Sequence, residues 1–153
     1  MPVVIRSATA TDEVRCVELI EALTGEAAAP AWREVYRQLL SGERGAVHVA
    51  EEAGTLLGVA TVSYNLAIRY AGEYAQLEEL IVDPAARGKN VGGLLVEAML
   101  AAARVRGCAE VGLYLIESTE KNRPFYAKYG FTAVGTEMRQ PLQKLDPPAV
   151  SAR

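Results

Sequence analysis

One stretch constrains this chain more than any other: Leu77-Glu78-Glu79-Leu80-Ile81-Val82-Asp83-Pro84-Ala85-Ala86-Arg87-Gly88-Lys89-Asn90-Val91-Gly92-Gly93-Leu94-Leu95. Its apolar first part, stopped by Asp83-Pro84, reads as a strand. Leu94 to Arg106 is rich in Ala and Leu and reads as a helix, with Gly107 as its carboxyl cap. A glycine-rich loop from Arg87 to Gly93 joins them. The first amides of a helix lack intrahelical acceptors, and the helix dipole places partial positive charge beside them. Gly88, Gly92 and Gly93 let a ligand come close to the backbone, while Arg87 and Lys89 add full charges. Such a loop suits a pyrophosphate. Taken alone, it also reads as a tight turn with two solvated cations. It is not a Walker loop, because no Gly-Lys-Ser/Thr follows at the required spacing, and it lacks Gly-x-Gly-x-x-Gly.

The surrounding pattern predicts a mixed α/β sheet in one domain over residues 1–145, with a frayed tail over 146–153. Val3 to Ile5 reads as a first strand, and Thr9 with Asp12 as a helix start. Cys16, Val17, Ile20 and Leu23 form one helical face, and Trp32, Val35, Tyr36 and Leu39 a second. Strands are predicted at Ala46 to Glu51, Leu56 to Ile68 and Tyr74 to Val82. Their connections are too short for parallel crossovers, so they read as an antiparallel meander. Val111 to Ile116 continues as a strand, Asn122 to Lys128 as a short helix, and Phe131–Val134 with Met138–Leu142 as a closing hairpin.

Composition narrows the function. A net charge of −3 argues against a nucleic-acid partner or an anionic membrane surface. No run of 18 apolar residues exists, and Arg6, Asp12 and Glu13 interrupt any leader-like stretch, so a cytoplasmic protein is expected. Two cysteines and one histidine do not make a zinc site of the usual kind, so no metal is expected.

Three segments carry a family resemblance. Val-x-Pro-x-x-Arg-Gly-x-x-Val-Gly, from Val82 to Gly92, resembles the acetyl-CoA loop of the GNAT superfamily of N-acetyltransferases. The family pattern Gln/Arg-x-x-Gly-x-Gly/Ala falls on Arg87, Asn90 and Gly92, with Lys89 inside it. Asn90 stands where the first glycine is usual, and Asn is the next best residue for a positive φ. Phe125-Tyr126-Ala127-Lys128-Tyr129-Gly130-Phe131 is similar to the family's Phe/Leu-Tyr-x-x-x-Gly-Phe segment, and Ile5-Arg6-x-Ala8-x-x-x-Asp12 to its opening. The usual Asn-x-x-Ala before the tyrosine is replaced, with Thr119 and Asn122 at those places. Glu79 and Asn90 together also resemble aminoalkylphosphonate acetyltransferases within the superfamily.

The resemblance implies a single-domain GNAT fold, with a mixed, mostly antiparallel sheet flanked by helices. It implies acetyl-CoA as co-substrate. Arg87, Gly88, Lys89, Asn90, Val91, Gly92 and Gly93 would hold the pyrophosphate, and Leu80, Ile81 and Val82 would run beside the pantetheine arm, with Asn122 toward it. A backbone N–H, that of Val82, would face the thioester oxygen. Tyr126 is the implied general acid: its ordinary pKa near 10 keeps it protonated at neutral pH. Without the family, Tyr126 between Phe125 and Tyr129 reads as a core aromatic. Glu78 and Glu79 are adjacent on a strand and should face opposite sides, so one at most should reach a cleft. Glu79 is the candidate general base, directly or through water, and Glu78 a candidate for binding a cationic substrate.

His48 and Trp32 read as structural, and Cys108 has no neighbouring base, so direct transfer is expected. The expected acceptor is a primary amine of a small molecule. A protein or peptide amino group, or a non-catalytic acyl-CoA-binding regulatory module, are the alternatives; an ATP-binding protein would need the missing Walker residues. The fold frequently forms dimers, so a homodimer is among the expected partners.

Overall fold

The computed structural model describes residues 2–143. The predicted tail over 146–153, and the end of the domain at 145, lie outside the described residues. Five strands and four helices follow in the order β1 (Val4–Ser7), α1 (Glu13–Thr24), α2 (Pro30–Leu39), β2 (Gly45–Glu52), β3 (Thr55–Ala67), β4 (Gly72–Val82), α3 (Val91–Arg106), β5 (Val111–Gly112) and α4 (Arg123–Ala127). The strands form one sheet in the order β1-β2-β3-β4-β5; the first three pairings are antiparallel and β4–β5 is parallel. The α/β architecture expected from the sequence, mixed and mostly antiparallel, is the one observed.

Alternation along the strands divides the core between two faces. Ala50, Ala60, Val62, Ala75 and Leu77 meet Val91, Leu95, Val96, Met99 and Ala103 of α3 on one side. Val47, Val49 and Val59 meet Cys16 and Leu19 of α1 and Tyr36 of α2 on the other. The two-residue turn Ala53-Gly54 joins β2 to β3, both residues having positive φ, as a tight hairpin requires. Arg6 of β1 pairs with Asp12 at 2.8 Å and with Glu51 of β2 at 2.9 Å. The Asp12 carboxylate also accepts from Thr9 N, closing the turn that starts α1. The Arg6 guanidinium holds the Asp12 carboxyl below its ordinary range. At the far end of α3, Arg106 pairs with Glu73 at 2.7 Å, donates to the carbonyls of Gly42 and Glu43, and lies 3.8 Å over the Tyr64 ring.

Four expectations need correction. β5 is two residues long, not the six of Val111 to Ile116, because its pairing with β4 ends at Gln76, just before an irregularity that bends β4. The closing hairpin is absent among the described residues: 131–143 carry no strand, and Val134, Met138 and Leu142 are exposed. An edge of two residues offers too few ladder positions to hold an added strand. On α2 the buried residue is Tyr36, whose hydroxyl donates to the Thr9 carbonyl at 2.6 Å; Val35 is exposed and Trp32 half-buried. On α1, Leu19 joins Cys16 and Val17 in the core, while Ile20 and Leu23 are only half-buried. No helix among the described residues is long and apolar enough to cross a membrane.

His48, the single histidine, is buried on β2 with its Nε2 unpartnered among the described residues. Burial lowers its pKa below the ordinary 6.5. The unfolded chain therefore binds a proton that the native state resists, and stability falls as pH drops through and below the ordinary histidine range. Urea unfolding should show lower stability at pH 5.5 than at pH 7.5, and His48→Gln should reduce that difference.

Candidate functional site

Sequence places two carboxylates where β4 should alternate, and the fold resolves the conflict with a bulge. Thr61 of β3 faces Glu79, but the next residue, Val62, faces Leu77, so Glu78 is an extra residue in β4. The consequence overturns the expected alternation. Ser63 Oγ donates to Glu78 Oε2 at 2.7 Å, and Thr61 Oγ1 donates to Glu79 Oε1. Thr61 and Ser63 are two apart on a regular strand, so both glutamates reach the same face. It is the face that carries Val59 and Ile81 against α1 and α2. Asn65 Nδ2 donates to Ser63 Oγ at 3.1 Å and extends this polar strip. The sequence signal was available in the alternation Thr61, Ser63, Asn65, which marks one polar face of β3.

Beyond the bulge, the outer edge of β4 is open. β5 pairs only with Ala75 and Gln76, so no strand among the described residues covers Leu77 to Val82 on that side. Leu80 and Val82 point to the α3 face and Ile81 to the other. The open edge leads into the loop before α3. Asp83 accepts from Ala85 N at 2.9 Å and pairs with Arg15 of α1 at 2.5 Å; the amide and then the guanidinium hold its carboxyl below the ordinary range. After a turn at Pro84–Ala86, Gly88 and Asn90 adopt positive φ angles of 85° and 55°. The expectation for Asn90 is met.

Asn90 makes no side-chain bond to the helix it precedes, and the first helical bond runs from Leu94 N to Asn90 O at 3.0 Å. The amides of Val91, Gly92 and Gly93 thus carry no intrahelical acceptor. Arg87 is exposed and has no ion pair among the described residues, whereas Lys89 is held by both carboxylate oxygens of Glu52 at 2.8 Å. The two cations expected at the loop are therefore unequal.

Gly93 also has a packing role. It is buried, and a Cβ there would lie 2.0 Å from the Tyr129 hydroxyl and 2.4 Å from Asn90 Oδ1. Its small size seats this chain's own Tyr129 against α3. Phe125 in turn lies against Gly92.

Tyr126 is half-buried on α4, edge-on to Phe125 at 5.0 Å and to Phe131 at 6.0 Å. It packs on the cluster that includes Leu80 and Val82, the α3 face of the sheet. Burial raises its pKa above 10, so the phenol keeps its proton at neutral pH. Glu79, with Thr61, lies on the other face of the sheet from the α3-side cluster on which Tyr126 packs. Asn122 is exposed at the start of α4 and makes no capping bond. Burial also raises the Cys108 thiol above its ordinary range, which leaves little thiolate at neutral pH.

The acetyltransferase (GNAT) family model matches residues 14–131, and the chain belongs to that family. It is 31% identical over 93 residues to a glucosamine 6-phosphate N-acetyltransferase of Trypanosoma brucei brucei, covering 60% of this chain and 61% of the relative. Over 113 residues it is 34% identical to glucosamine 6-phosphate N-acetyltransferase 1 of rice, Oryza sativa subsp. japonica, covering 71% and 66%. The chain thus spans about two thirds or less of these relatives' lengths. The crystal structure of glucosamine-6-phosphate N-acetyltransferase from Arabidopsis thaliana superposes with a TM-score of 0.76 over 94% of this chain and 100% of that one, at 21% identity, a likeness of fold. These relatives carry a different name from the aminoalkylphosphonate acetyltransferases that the segment around Glu79 and Asn90 resembles.

Gly93→Ala should destabilise the protein by about 1–3 kcal/mol in urea unfolding, since a methyl group there displaces Tyr129 and Asn90. Adding Tyr129→Phe, which removes the atom nearest the new methyl, should recover part of the loss.

Proposed function

We propose that this protein transfers an acetyl group from acetyl-CoA directly to a primary amine of a small molecule. The observation that carries the reading is the open edge of β4 running straight into the uncapped start of α3. A strand edge that no strand among the described residues pairs, followed by helix amides without intrahelical acceptors, matches an extended amide-bearing arm that ends in a pyrophosphate. Arg87 and the amides of Val91, Gly92 and Gly93 would hold the pyrophosphate, with Gly88 and Asn90 shaping the turn and Lys89 tied back to Glu52. Leu80, Ile81 and Val82 offer their edge to the arm, and Asn122 stands at the start of α4 nearby in sequence to Tyr126.

The co-substrate supplies an activated acetyl thioester. The residues supply the rest. Glu79 takes a proton from the substrate ammonium on the α1–α2 face, freeing the lone pair of the amine. A backbone N–H on the β4 edge, that of Val82, stabilises the charge that develops on the acyl oxygen. The amine nitrogen bonds to the acyl carbon, and as the C–S bond breaks Tyr126 gives its proton to the departing sulfur and is restored by the second proton of the amine nitrogen, directly or through water; its raised pKa keeps that proton available at neutral pH. Amine and co-substrate thus approach the edge from different sides. Glu78, brought onto the Glu79 face by the bulge, adds a second negative charge that favours a cationic acceptor. The curated relatives act on an aminosugar phosphate by name, and a hexosamine phosphate is the first acceptor to try. We place the reaction in the cytoplasm, and exposed Leu66, Ile68, Val134 and Met138 would give a homodimer apolar surface to cover.

Acetyl-CoA at about 100 times its dissociation constant should add about 2.7 kcal/mol and raise the melting temperature by roughly 5–10 °C, while ATP should not. Absence of a shift with acetyl-CoA would remove the co-substrate and the reading with it. Tyr126→Phe should lower kcat at least tenfold with acetyl-CoA affinity unchanged, and unaltered turnover would take Tyr126 out of the mechanism.

A further inference from the structure

We infer that Thr61 is a positioning residue for the reaction: its hydroxyl, across the β3–β4 ladder, fixes the Glu79 carboxylate and holds it in the ionised form. The inference rests on Glu79 being the base proposed above. Thr61 is 3% exposed, in the middle of β3, where an apolar side chain would otherwise serve the core. Its hydroxyl works in both directions. Glu79 N donates to Thr61 Oγ1 at 3.1 Å, and the same oxygen donates to Glu79 Oε1. A threonine hydroxyl has a single hydrogen. With the amide occupying its acceptor side, that hydrogen goes to the carboxylate.

The arrangement follows from the bulge. An inserted residue takes one backbone group out of the ladder and leaves it to find another partner. Here the threonine satisfies the amide and, through the same atom, constrains the side chain of the same residue. Backbone and carboxylate of Glu79 are therefore held by one fixed point on the neighbouring strand. β-Branching restricts the Thr61 χ1 angle, so the fixed point is stiff.

Ser63 holds Glu78 through a single hydroxyl contact at 2.7 Å and is itself half-buried. Only the Thr61 pair has the two-way bond. A hydroxyl donor aimed at a carboxylate oxygen favours the charged form. It thereby presents Glu79 ready to accept a proton, at the expense of some proton affinity. Valine at this position keeps the shape and loses both bonds; serine keeps the hydroxyl and loses the methyl.

The test is a carboxylate ¹³C NMR titration of the parent, Thr61→Val and Thr61→Ser, with the Glu79 signal identified by its loss in Glu79→Gln. The Glu79 midpoint should rise by about one pH unit in Thr61→Val and stay within a few tenths of the parent in Thr61→Ser. Equal midpoints in the parent and Thr61→Val would overturn the inference, as would a Thr61→Ser midpoint moved as far as that of valine. Should the valine variant not fold, Thr61→Ala takes its place and is judged by the same outcomes. The pH profile of kcat/KM, followed by thiol release with glucosamine 6-phosphate as the probe amine, separates the two claims. A Glu79→Gln enzyme that keeps the acidic limb removes Glu79 as the base, while the titration still decides what Thr61 does to its carboxyl. Where Glu79→Gln does lose that limb, it should move upward in Thr61→Val by the same amount as the NMR midpoint.

Discussion

Inserting Glu78 into β4 changes the strand on both sides of the insertion. Before it, Ala75 and Gln76 pair with β5; after it, no strand among the described residues pairs with that edge as far as Val82. At it, two consecutive carboxylates turn to one face and find hydroxyls on β3. Strict alternation through both Glu78 and Glu79 would bury one of them under α3, among Leu77, Leu95 and Met99, where an unpaired carboxylate is strongly disfavoured. The bulge removes that cost and opens the edge together. The strand that carries the candidate base is thus also the strand that offers its backbone.

The helix that follows is held more firmly at its far end than at its start. Arg106 ties the last turn of α3 to Glu73, to two carbonyls before β2 and to the Tyr64 ring. Its first turn has no side-chain cap and is bordered by Phe125 and Tyr129 of the α4 region. Anchoring one end while leaving the other end's amides open suits a helix that presents its amino terminus to an anion. Arg15 and Glu52, from α1 and β2, steady the intervening loop through Asp83 and Lys89.

Much of this was legible in the sequence, for physical reasons that differ by element. Apolar periodicity locates α1, α3 and the meander because burial dictates it. The positive φ of Asn90 follows from the few residues that tolerate such angles, whereas that of Ala53 does not. What escaped depends on register or on distant partners. The bulge requires knowing that Thr61 faces Glu79 and Val62 faces Leu77, on a neighbouring strand, so strict alternation put Glu78 and Glu79 on opposite faces. Lys89 read as a cation for a ligand because Glu52 is 37 positions distant. The hairpin expected from Phe131–Val134 and Met138–Leu142 is not formed among the described residues: a strand needs an edge to join, and β5 supplies two residues. Val35 illustrates the same limit on a helix: spacing chose the stripe, and the bond of Tyr36 to Thr9 chose its centre.

The contact between Gly93 and Tyr129 also couples the changes that a relative of this chain could accept. Any side chain at 93 meets Tyr129 first and Asn90 next, two residues on different segments. Withdrawing the tyrosine hydroxyl or turning the asparagine aside lowers the cost of a later side chain at 93. The effect of a change at 93 therefore depends on what stands at 129 and 90, and the three positions are energetically coupled.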